Sequence, residues 1–305
     1  MRKYGVDLIT FYHPSYWGLS TRDELLEFAQ KHPDALWTKI MEGCRTAGIQ
    51  FIEMTFAPAD WTSALAAFGS PEAFRAALAG YGLELKSGFF VDPVRKPDAS
   101  SEELADGAAA YTDFIRRAGG DTMVVAPPMR RSTLANPPLF VGLATMEAFA
   151  SKLHAIGYAT LGEGVRTAVH TEAHSIVCTT RDIDLLLTIT DPTYVSMCPD
   201  TGHLAISGSE PSYAMARHRE RMIISHWKDA IGPMPLDVPI DDGIHVAHRE
   251  YFRRVGDGTI DWAAWEALSA NTTTADTVLM ELDAVPDPVE QMTLAREYLT
   301  ATFHS

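Results

Sequence analysis

Residues 144–173, ATMEAFASKLHAIGYATLGEGVRTAVHTEA, contain a helical pattern followed directly by a short apolar run. In residues 144–164 apolar side chains recur at helical spacing and the segment closes on glycine, which predicts a helix. VRTAVHTEA at 165–173 is apolar and has the length of a strand, as has DTMVVAP at 121–127, before the helix. A strand, a helix and a strand in this order predict a βαβ unit with parallel strands.

The same unit recurs along the chain. Eight apolar runs of strand length occur, at 4–12, 49–56, 83–91, 121–127, 165–173, 194–200, 222–229 and 277–283. Helical patterns separate them, and 305 residues divided among eight units gives about 38 residues a unit. No Gly-x-Gly-x-x-Gly motif follows the first run, and no Ser/Pro-rich linker divides the chain. The sequence therefore predicts one α/β domain over residues 1–305, a (β/α)8 barrel rather than an open dinucleotide-binding sheet.

Composition excludes several classes of protein. Lys and Arg number 25 and Asp and Glu number 40, so the formal net charge is −15, which argues against a nucleic-acid-binding protein. The cysteines, Cys44, Cys178 and Cys198, are too widely spaced for a disulfide framework or a zinc knuckle. The N-terminal apolar run is too short for a signal peptide, and no long uninterrupted apolar stretch is present. We therefore expect a cytoplasmic protein without a membrane or nucleic-acid partner.

The segment 230–258 interrupts the rhythm, because it is rich in Pro, Asp, Gly and His and has weak periodicity. A loop of this length in a compact domain is usually functional. Since it follows the seventh predicted strand, it would lie on the face of the barrel that carries active sites. Its His245, His248 and Arg249 are expected to be solvated surface residues, with a lid over the substrate as the alternative.

Four successive predicted strands, the fifth to the eighth, end in titratable residues. The fifth ends in HTEAH at 170–174, the sixth runs into Asp200, the seventh contains His226 and the eighth contains Glu281. Carboxylate oxygens with an imidazole suit a divalent ion such as Mn²⁺, Mg²⁺, Co²⁺ or Zn²⁺. Carboxylates this close together repel one another unless a cation lies among them. The strand ends therefore predict a divalent metal site.

Four features in this order, DTGHL at 200–204, HWKD at 226–229, GDGTIDW at 256–262 and Glu281, resemble the sugar phosphate isomerase/epimerase family. These xylose isomerase-like TIM barrels include ketose 3-epimerases, hydroxypyruvate isomerases, inosose dehydratases and, more distantly, endonucleases of the endonuclease IV type. The resemblance covers the fifth to eighth predicted strands well. It covers the first half only through general layout, which includes Glu53.

The resemblance implies a ligand set and a chemistry. The metal ligands would be Glu172, Asp200, His226 and Glu281. Mn²⁺ is the first candidate for the ion, and Mg²⁺, Co²⁺ and Zn²⁺ are alternatives. An ion chelated by a hydroxyl and an adjacent carbonyl acidifies the C–H bond between them and stabilises the resulting enediolate. Glu172 and Glu281 would be both ligands and proton-transfer groups, while His203 and Lys228 would position substrate oxygens.

The residues around Glu172 depart from the ketose epimerase pattern, which often has Glu-Pro at this position. Here Ala173 follows Glu172, and His170 and His174 flank it at two residues on either side. All three side chains would share a face if the strand stays regular that far. His170 and His174 are therefore further candidates for the proton-transfer group.

The opening GVDLITF at 5–11, with Trp17, is also similar to the larger subunit of bacterial C-glycoside deglycosidases. Those relatives of the family cleave 3-keto-glycosides together with a small partner subunit. The similarity makes Trp17 a candidate substrate-binding residue, with packing at the barrel mouth as the alternative. It also implies a hetero-oligomer with a small subunit as an alternative to a homo-oligomer.

The expected function is a metal-dependent isomerase or epimerase that acts on a sugar, keto-sugar or polyol derivative. A lyase on the same site is the alternative, either a C-glycoside deglycosidase subunit or an inosose-type dehydratase. A non-catalytic sugar-binding barrel and an endonuclease IV-like nuclease are more distant alternatives, and the acidic charge disfavours the nuclease.

Overall fold

The structure, a computed structural model, describes residues 2–130, 140–235 and 238–303. Among these residues, eight parallel strands form the main sheet and two antiparallel strands form a small second sheet. The strands are β1 Lys3–Asp7, β2 Phe51–Met54, β3 Glu84–Phe90, β4 Thr122–Val125, β5 Arg166–His170, β6 Ser196–Cys198, β7 His226–Trp227, β8 Asp229–Ala230, β9 Phe252–Arg253 and β10 Thr277–Met280. Each of the eight predicted runs overlaps one strand of the main sheet, so the predicted α/β barrel is confirmed.

The main sheet curls until its edges nearly meet. Neighbouring strands run from β6 back to β1 in chain order, and β10 and β7 complete the sheet. The two edge strands approach each other through parallel bridges that join Met197 to Met222 and Asp200 to His226. The carboxyl ends of the strands therefore meet at one rim of a nearly closed barrel.

Helices accompany the strands along the chain. The described helices are α1 Arg22–Lys31, α2 Pro33–Thr46, α3 Trp61–Phe68, α4 Pro71–Gly80, α5 Asp92–Arg95, α6 Ser101–Ala118, α7 Leu143–Gly162, α8 Thr180–Ile189, α9 Thr201–Ile206, α10 Pro211–Met215, α11 Ile244–Arg249, α12 Trp262–Ser269 and α13 Pro288–Phe303. N-cap side chains begin several of these helices. Ser100 accepts the Glu103 N–H at the start of α6, and Ser70 accepts the Ala73 N–H at the start of α4. None of the helices in the described part of the chain has the length and apolarity that crossing a bilayer requires.

The barrel interior has an apolar layer below a polar one. The apolar layer includes Phe51, Ala168, Cys198 and Leu279. Because side chains alternate along a strand, the residue two positions later faces the same way. On these four strands that later residue is titratable, and the four are Glu53, His170, Asp200 and Glu281. Within two residues of each of these strands, the side chains that face the interior therefore change from apolar to titratable.

Gly5 in β1 has a packing role in the lower layer. A Cβ atom at this position would lie 2.1 Å from the ring of Phe51, far inside van der Waals contact. The absence of a side chain therefore lets the Phe51 ring fill the centre of the barrel.

The segment 230–258 is partly folded rather than one long loop. Outside residues 236–237, which the structure does not describe, it contributes α11 and the strand β9, which pairs with β8. Ile244 of α11 and Phe252 of β9 belong to a buried apolar cluster with Ala173, just beyond β5. This packing places α11 against the rim of the barrel, so the expectation of a loop without regular structure is wrong for this part, while His245 and Arg249 are exposed as expected.

Candidate active site

Four side chains from β5, β6, β7 and β10 meet at the rim. His170 ends β5 and His226 begins β7, while Asp200 and Glu281 follow the ends of β6 and β10. One ligand-type atom from each lies within 4.8 Å of the others, and all four residues are buried. We call His170, Asp200, His226 and Glu281 the four-residue group. It contains three of the four predicted ligands, with His170 in place of Glu172.

The atoms that face one another in the four-residue group lack hydrogen bonds. His226 Nδ1 lies 2.5 Å from Glu281 Oε2 and 3.7 Å from Asp200 Oδ2. His170 Nε2 lies 3.6 Å from Asp200 Oδ2. None of these atoms has a hydrogen-bond partner among the described residues, which is costly for buried polar atoms. Two imidazoles and two carboxylates are a donor set for a divalent transition metal, so the residues fit the predicted ion.

Glu172 lies beside the four-residue group rather than in it. The strand ends at His170, and the Ser175 N–H donates to the Glu172 carbonyl at 3.1 Å in the turn that follows. Glu172 Oε2 lies 3.3 Å from His170 Nδ1, and Oε1 lies 3.4 Å from His203 Nδ1. Burial raises the pKa of Glu172, but neighbouring imidazoles, His203 first, hold it well below its usual range. Glu172 is therefore an ionised carboxylate next to the group.

His203 is oriented by the backbone of the same turn. The Ala173 N–H donates to His203 Nδ1 at 3.0 Å, so the neutral ring carries its proton on Nε2. Burial lowers the pKa of His203 to about 4, which keeps the ring uncharged at neutral pH. The structure thus gives His203, a predicted substrate-binding residue, an N–H donor without a hydrogen-bond acceptor among the described residues.

His174 points away from the four-residue group. Its backbone is left-handed, with φ of 62°, and its Nδ1 lies 2.9 Å from Nε2 of His248 in α11. The expectation that His170, Glu172 and His174 share one strand face is wrong, because the strand stops at His170. The expectation that His248 is a solvated surface residue is also wrong, because its side chain is fully buried.

Lys228 is a fully buried ammonium among the carboxylates. Its Nζ lies 2.5 Å from Glu281 Oε1 and 2.9 Å from Asp283 Oδ1. Nζ also lies 3.3 Å from Asp200 Oδ2. Burial lowers the pKa of Lys228, but the carboxylates, Asp200 first, raise it well above its usual value. Lys228 therefore offsets part of the negative charge of the site, and its role in positioning substrate stays a prediction.

Sequence reasoning missed Asp7 and Asp283. Asp7 ends β1 and offers a ligand-type atom within 4.8 Å of atoms from Glu53 and His226. Glu53 Oε1 lies 2.7 Å from His226 Nε2. Both missed residues are acids at strand ends, in the first and the eighth predicted runs. Asp283 is the last residue of the eighth predicted run, so the strand-end argument covers it, whereas Asp7 lies inside the first predicted run, which extends five residues beyond the end of β1.

A cavity of about 260 Å³ reaches the site. Acidic and histidine side chains line its inner part, and they include Asp7, His170, Glu172, His203, Glu281 and Asp283. Apolar side chains form much of the remaining wall, and they include Ile9, Phe56, Phe89, Val91, Val94 and Met129. Three exposed arginines, Arg22, Arg95 and Arg249, also line it. The cavity therefore joins a charged floor to an apolar wall with basic groups at its edge.

Trp17 lies outside the cavity lining formed by the described residues. Its indole N–H donates to the Phe11 carbonyl at 2.8 Å, and its ring packs against Phe28 of α1. This is the packing alternative, and the role of Trp17 in binding substrate stays a prediction.

Two of the family-like motifs meet in a structural contact. Asp229 of HWKD accepts hydrogen bonds from the Gly256 N–H at 3.0 Å and from the Trp262 indole N–H at 2.7 Å. A Cβ at Gly258 would lie 2.1 Å from Asp229 Oδ1. The buried Asp229 carboxylate therefore anchors the GDGTIDW turn to the rim beside Lys228.

A family model for the xylose isomerase-like TIM barrel matches residues 41–299 of the chain. The chain is 28% identical over 222 residues to inosose dehydratase of Lacticaseibacillus casei, which covers 67% of this chain and 72% of that protein. The structure of the IOLI protein with a zinc atom superposes with a TM-score of 0.70 at 14% identity, covering 98% and 97% of the two chains. The probable 3-DHS dehydratase AsbF of Bacillus anthracis superposes with a TM-score of 0.66 at 13% identity, covering 99% and 100%. The two structures share the fold of this chain.

Proposed function

Because the chain belongs to the xylose isomerase-like TIM barrel family, we propose that it uses a divalent metal ion to remove a proton from a sugar, keto-sugar or polyol derivative. Like the inosose dehydratases to which it is similar, the chain is an enzyme. The observation that carries the proposal is the four-residue group, whose buried facing atoms have no hydrogen bonds among the described residues. It lies at the carboxyl ends of the strands, where barrels of this kind carry their active sites.

The four-residue group would hold the ion, with His170 rather than Glu172 as the ligand from β5. With Nε2 on the ion, His170 Nδ1–H, which lies 3.3 Å from Glu172 Oε2, would donate to that carboxylate. A carboxylate that accepts the second N–H of a ligand histidine fixes the tautomer and the orientation of the ring. Mn²⁺ stays the first candidate, and Co²⁺ and Zn²⁺ suit the same donors.

A bound divalent ion polarises a carbonyl and the neighbouring hydroxyl oxygen, which acidifies the C–H bond between them. Glu172 is ionised and lines the cavity, so its carboxylate can accept that proton. His203 lines the same cavity and can donate its Nε2–H to a substrate oxygen. Lys228 holds the Glu281 carboxylate in place and prevents three neighbouring carboxylates from repelling one another.

The fate of the removed proton decides the reaction class. Its return to the other face gives an epimer, its return to the neighbouring carbon gives an isomer, and expulsion of a β-substituent gives an elimination product. Similarity to inosose dehydratase supports elimination of water from a cyclic keto-polyol as the first candidate. Isomerisation or epimerisation of a ketose uses the same groups and is the second.

Cleavage of a 3-keto-C-glycoside is a further candidate, supported by the apolar wall of the cavity. Phe56, Phe89 and Met129 offer contact area that a bare polyol does not use and that an aromatic aglycone would cover. A small partner subunit belongs to this candidate, and its retention during purification from the native host would favour it.

Proton exchange in D₂O tests the proposal. The metal-loaded protein is incubated with a keto-inositol, a carboxylated keto-polyol, a ketose and a 3-keto-C-glycoside, and ¹H NMR follows each C–H signal and each product. We expect loss of the C–H signal next to the carbonyl for at least one compound, with water, an isomer or an aglycone as the product. His226→Ala should abolish the exchange and His32→Ala, at an exposed histidine, should not. No exchange with any compound by metal-loaded protein would refute the proposal.

A further inference from the structure

A second cluster of potential ligands lies next to the four-residue group. Glu172, His245 and His248 each offer a ligand-type atom, and these atoms lie within 4.8 Å of one another. His245 Nδ1 lies 3.6 Å and His248 Nδ1 lies 3.9 Å from Glu172 Oε1. Both histidines belong to α11, the helix inside the segment 230–258, so the cluster forms only because that helix packs on the rim.

His248 has a buried nitrogen that nothing in the described chain satisfies. Its side chain is fully buried, and Nδ1 has no hydrogen-bond partner among the described residues. Its other nitrogen, Nε2, lies 2.9 Å from His174 Nδ1. When Nε2–H donates to His174, the Nδ1 lone pair is free and faces Glu172. A histidine whose second N–H is held in this way is oriented as metal-binding histidines are.

The turn after β5 places His174 Nδ1 where it can accept the His248 Nε2–H. His174 has a left-handed backbone, with φ of 62°, which a residue with a Cβ adopts rarely. The Arg130 N–H donates to the His174 carbonyl at 2.9 Å and the Ser175 N–H donates to the Glu172 carbonyl at 3.1 Å, which holds the turn in this shape. The unusual backbone thus brings the His174 ring to His248.

Glu172 presents its two oxygens to different groups. Oε2 lies 3.3 Å from His170 Nδ1, on the side of the four-residue group, while Oε1 faces His245 and His248. One carboxylate can therefore accept the His170 N–H and also ligate an ion on its other side. Its position explains why a strand-end glutamate lies outside the four-residue group.

We propose that Glu172, His245 and His248 form a second divalent-cation site, separate from the four-residue group. Two imidazoles and one carboxylate with an open fourth position are a ligand set typical of zinc in catalytic sites. The side chain of His245 is 50% exposed, so an ion can enter from the cavity, which Glu172 and His245 both line. The inference goes beyond the proposed function, which needs only the ion held by the four-residue group.

Metal stoichiometry tests the second site without an activity assay. The full chain is stripped with a chelator and titrated with Zn²⁺ with elemental analysis, and with Co²⁺ with absorption spectroscopy. We expect two ions per wild-type chain, one in His245→Ala, one in His226→Ala and none in the double variant. His32→Ala should still bind two.

His248→Gln adds a second variant that removes the buried ligand, and circular dichroism checks its folding. His245→Ala changes an exposed side chain, so it decides the question even if His248→Gln does not fold. Saturation of the wild-type chain at one ion, or two ions bound by His245→Ala, would overturn the proposal. The first of these results would leave the proposed function intact, because it requires one ion only.

Discussion

The cavity has two sides that differ in chemistry. One side is built by β5, β6, β7 and β10, which supply the four-residue group. The other is built by β3, β4 and the segments after β2, β3 and β4, where Phe56, Phe89, Ala126 and Met129 line the same cavity. The fold places the ends of all these strands at one rim. Metal-type ligands and apolar contact residues therefore come from different strands of the same barrel. We expect the polar side to determine metal binding and turnover, and the apolar side to determine which substrate enters.

Glu281→Gln should have the largest effect, because it replaces a carboxylate ligand on the polar side by a neutral amide of similar shape. We expect metal content to fall and kcat/KM to drop roughly a thousandfold, since the loss of one group that stabilises developing charge already costs about 10²–10³. Elemental analysis and steady-state kinetics measure the two effects. Glu102→Gln, on an exposed part of α6, is the control. Full metal content in Glu281→Gln would contradict the assignment of metal binding to the polar side.

Lys228→Met tests whether the polar side depends on its buried cation for stability. Its removal leaves Asp200, Glu281 and Asp283 without their common ion-pair partner. We expect the free energy of unfolding of the metal-free protein to fall by about 3–5 kcal/mol, which urea denaturation measures. Lys31→Met, at an exposed ion pair, should change it little. Equal effects of the two substitutions would show that Lys228 is not a structural counter-ion.

Asp229→Asn tests a residue that lies beside the polar side but performs no chemistry in our assignment. The carboxylate accepts the Gly256 and Trp262 N–H groups, so we expect a loss of about 2 kcal/mol in the free energy of unfolding. Metal content should stay at the wild-type value. Asp257→Asn, on an exposed pair with Arg254, is the matched control. A drop in metal content without a drop in stability would place Asp229 in the site.

Phe56→Ala tests the apolar side and should have the smallest effect. We expect KM to rise roughly tenfold for a substrate with an apolar substituent, because a pocket gains only modest discrimination from each apolar contact. KM for a bare polyol, and metal content, should change little. Phe140→Ala, at a ring that is 77% exposed, is the control. Loss of metal from Phe56→Ala would show that the two sides are not independent.

The sequence predicts the strands well because their signal is local and repeated. Each apolar run has strand length, and a titratable residue two positions after an interior apolar one must face the same way. Asp200, His226 and Glu281 follow from this rule. Asp7 could not be identified as a strand-end residue, because the apolar run continues to residue 12 while β1 ends at Asp7.

Alternation also places His170 on the interior face, two residues after Ala168, but it cannot choose between His170 and Glu172 as the ligand from β5, because that choice depends on where the strand stops. A regular strand would present His170, Glu172 and His174 on one face. The chain instead turns after His170, and hydrogen bonds from Ser175 and from Arg130, in a segment before α7, hold the turn. These contacts join residues that no periodic pattern relates.

The sequence by itself determined the barrel, its rim and the presence of metal-type ligands on the later strands, because alternation and repetition act over a few residues at a time. Only the tertiary structure decided which of those ligands meet. In the folded chain α11 of the segment 230–258 packs on the rim and His248 is buried. Glu172 lies between the four-residue group and the pair His245 and His248. The physical reason is that the position of such side chains depends on packing between segments distant in the chain, which is decided only when the barrel closes.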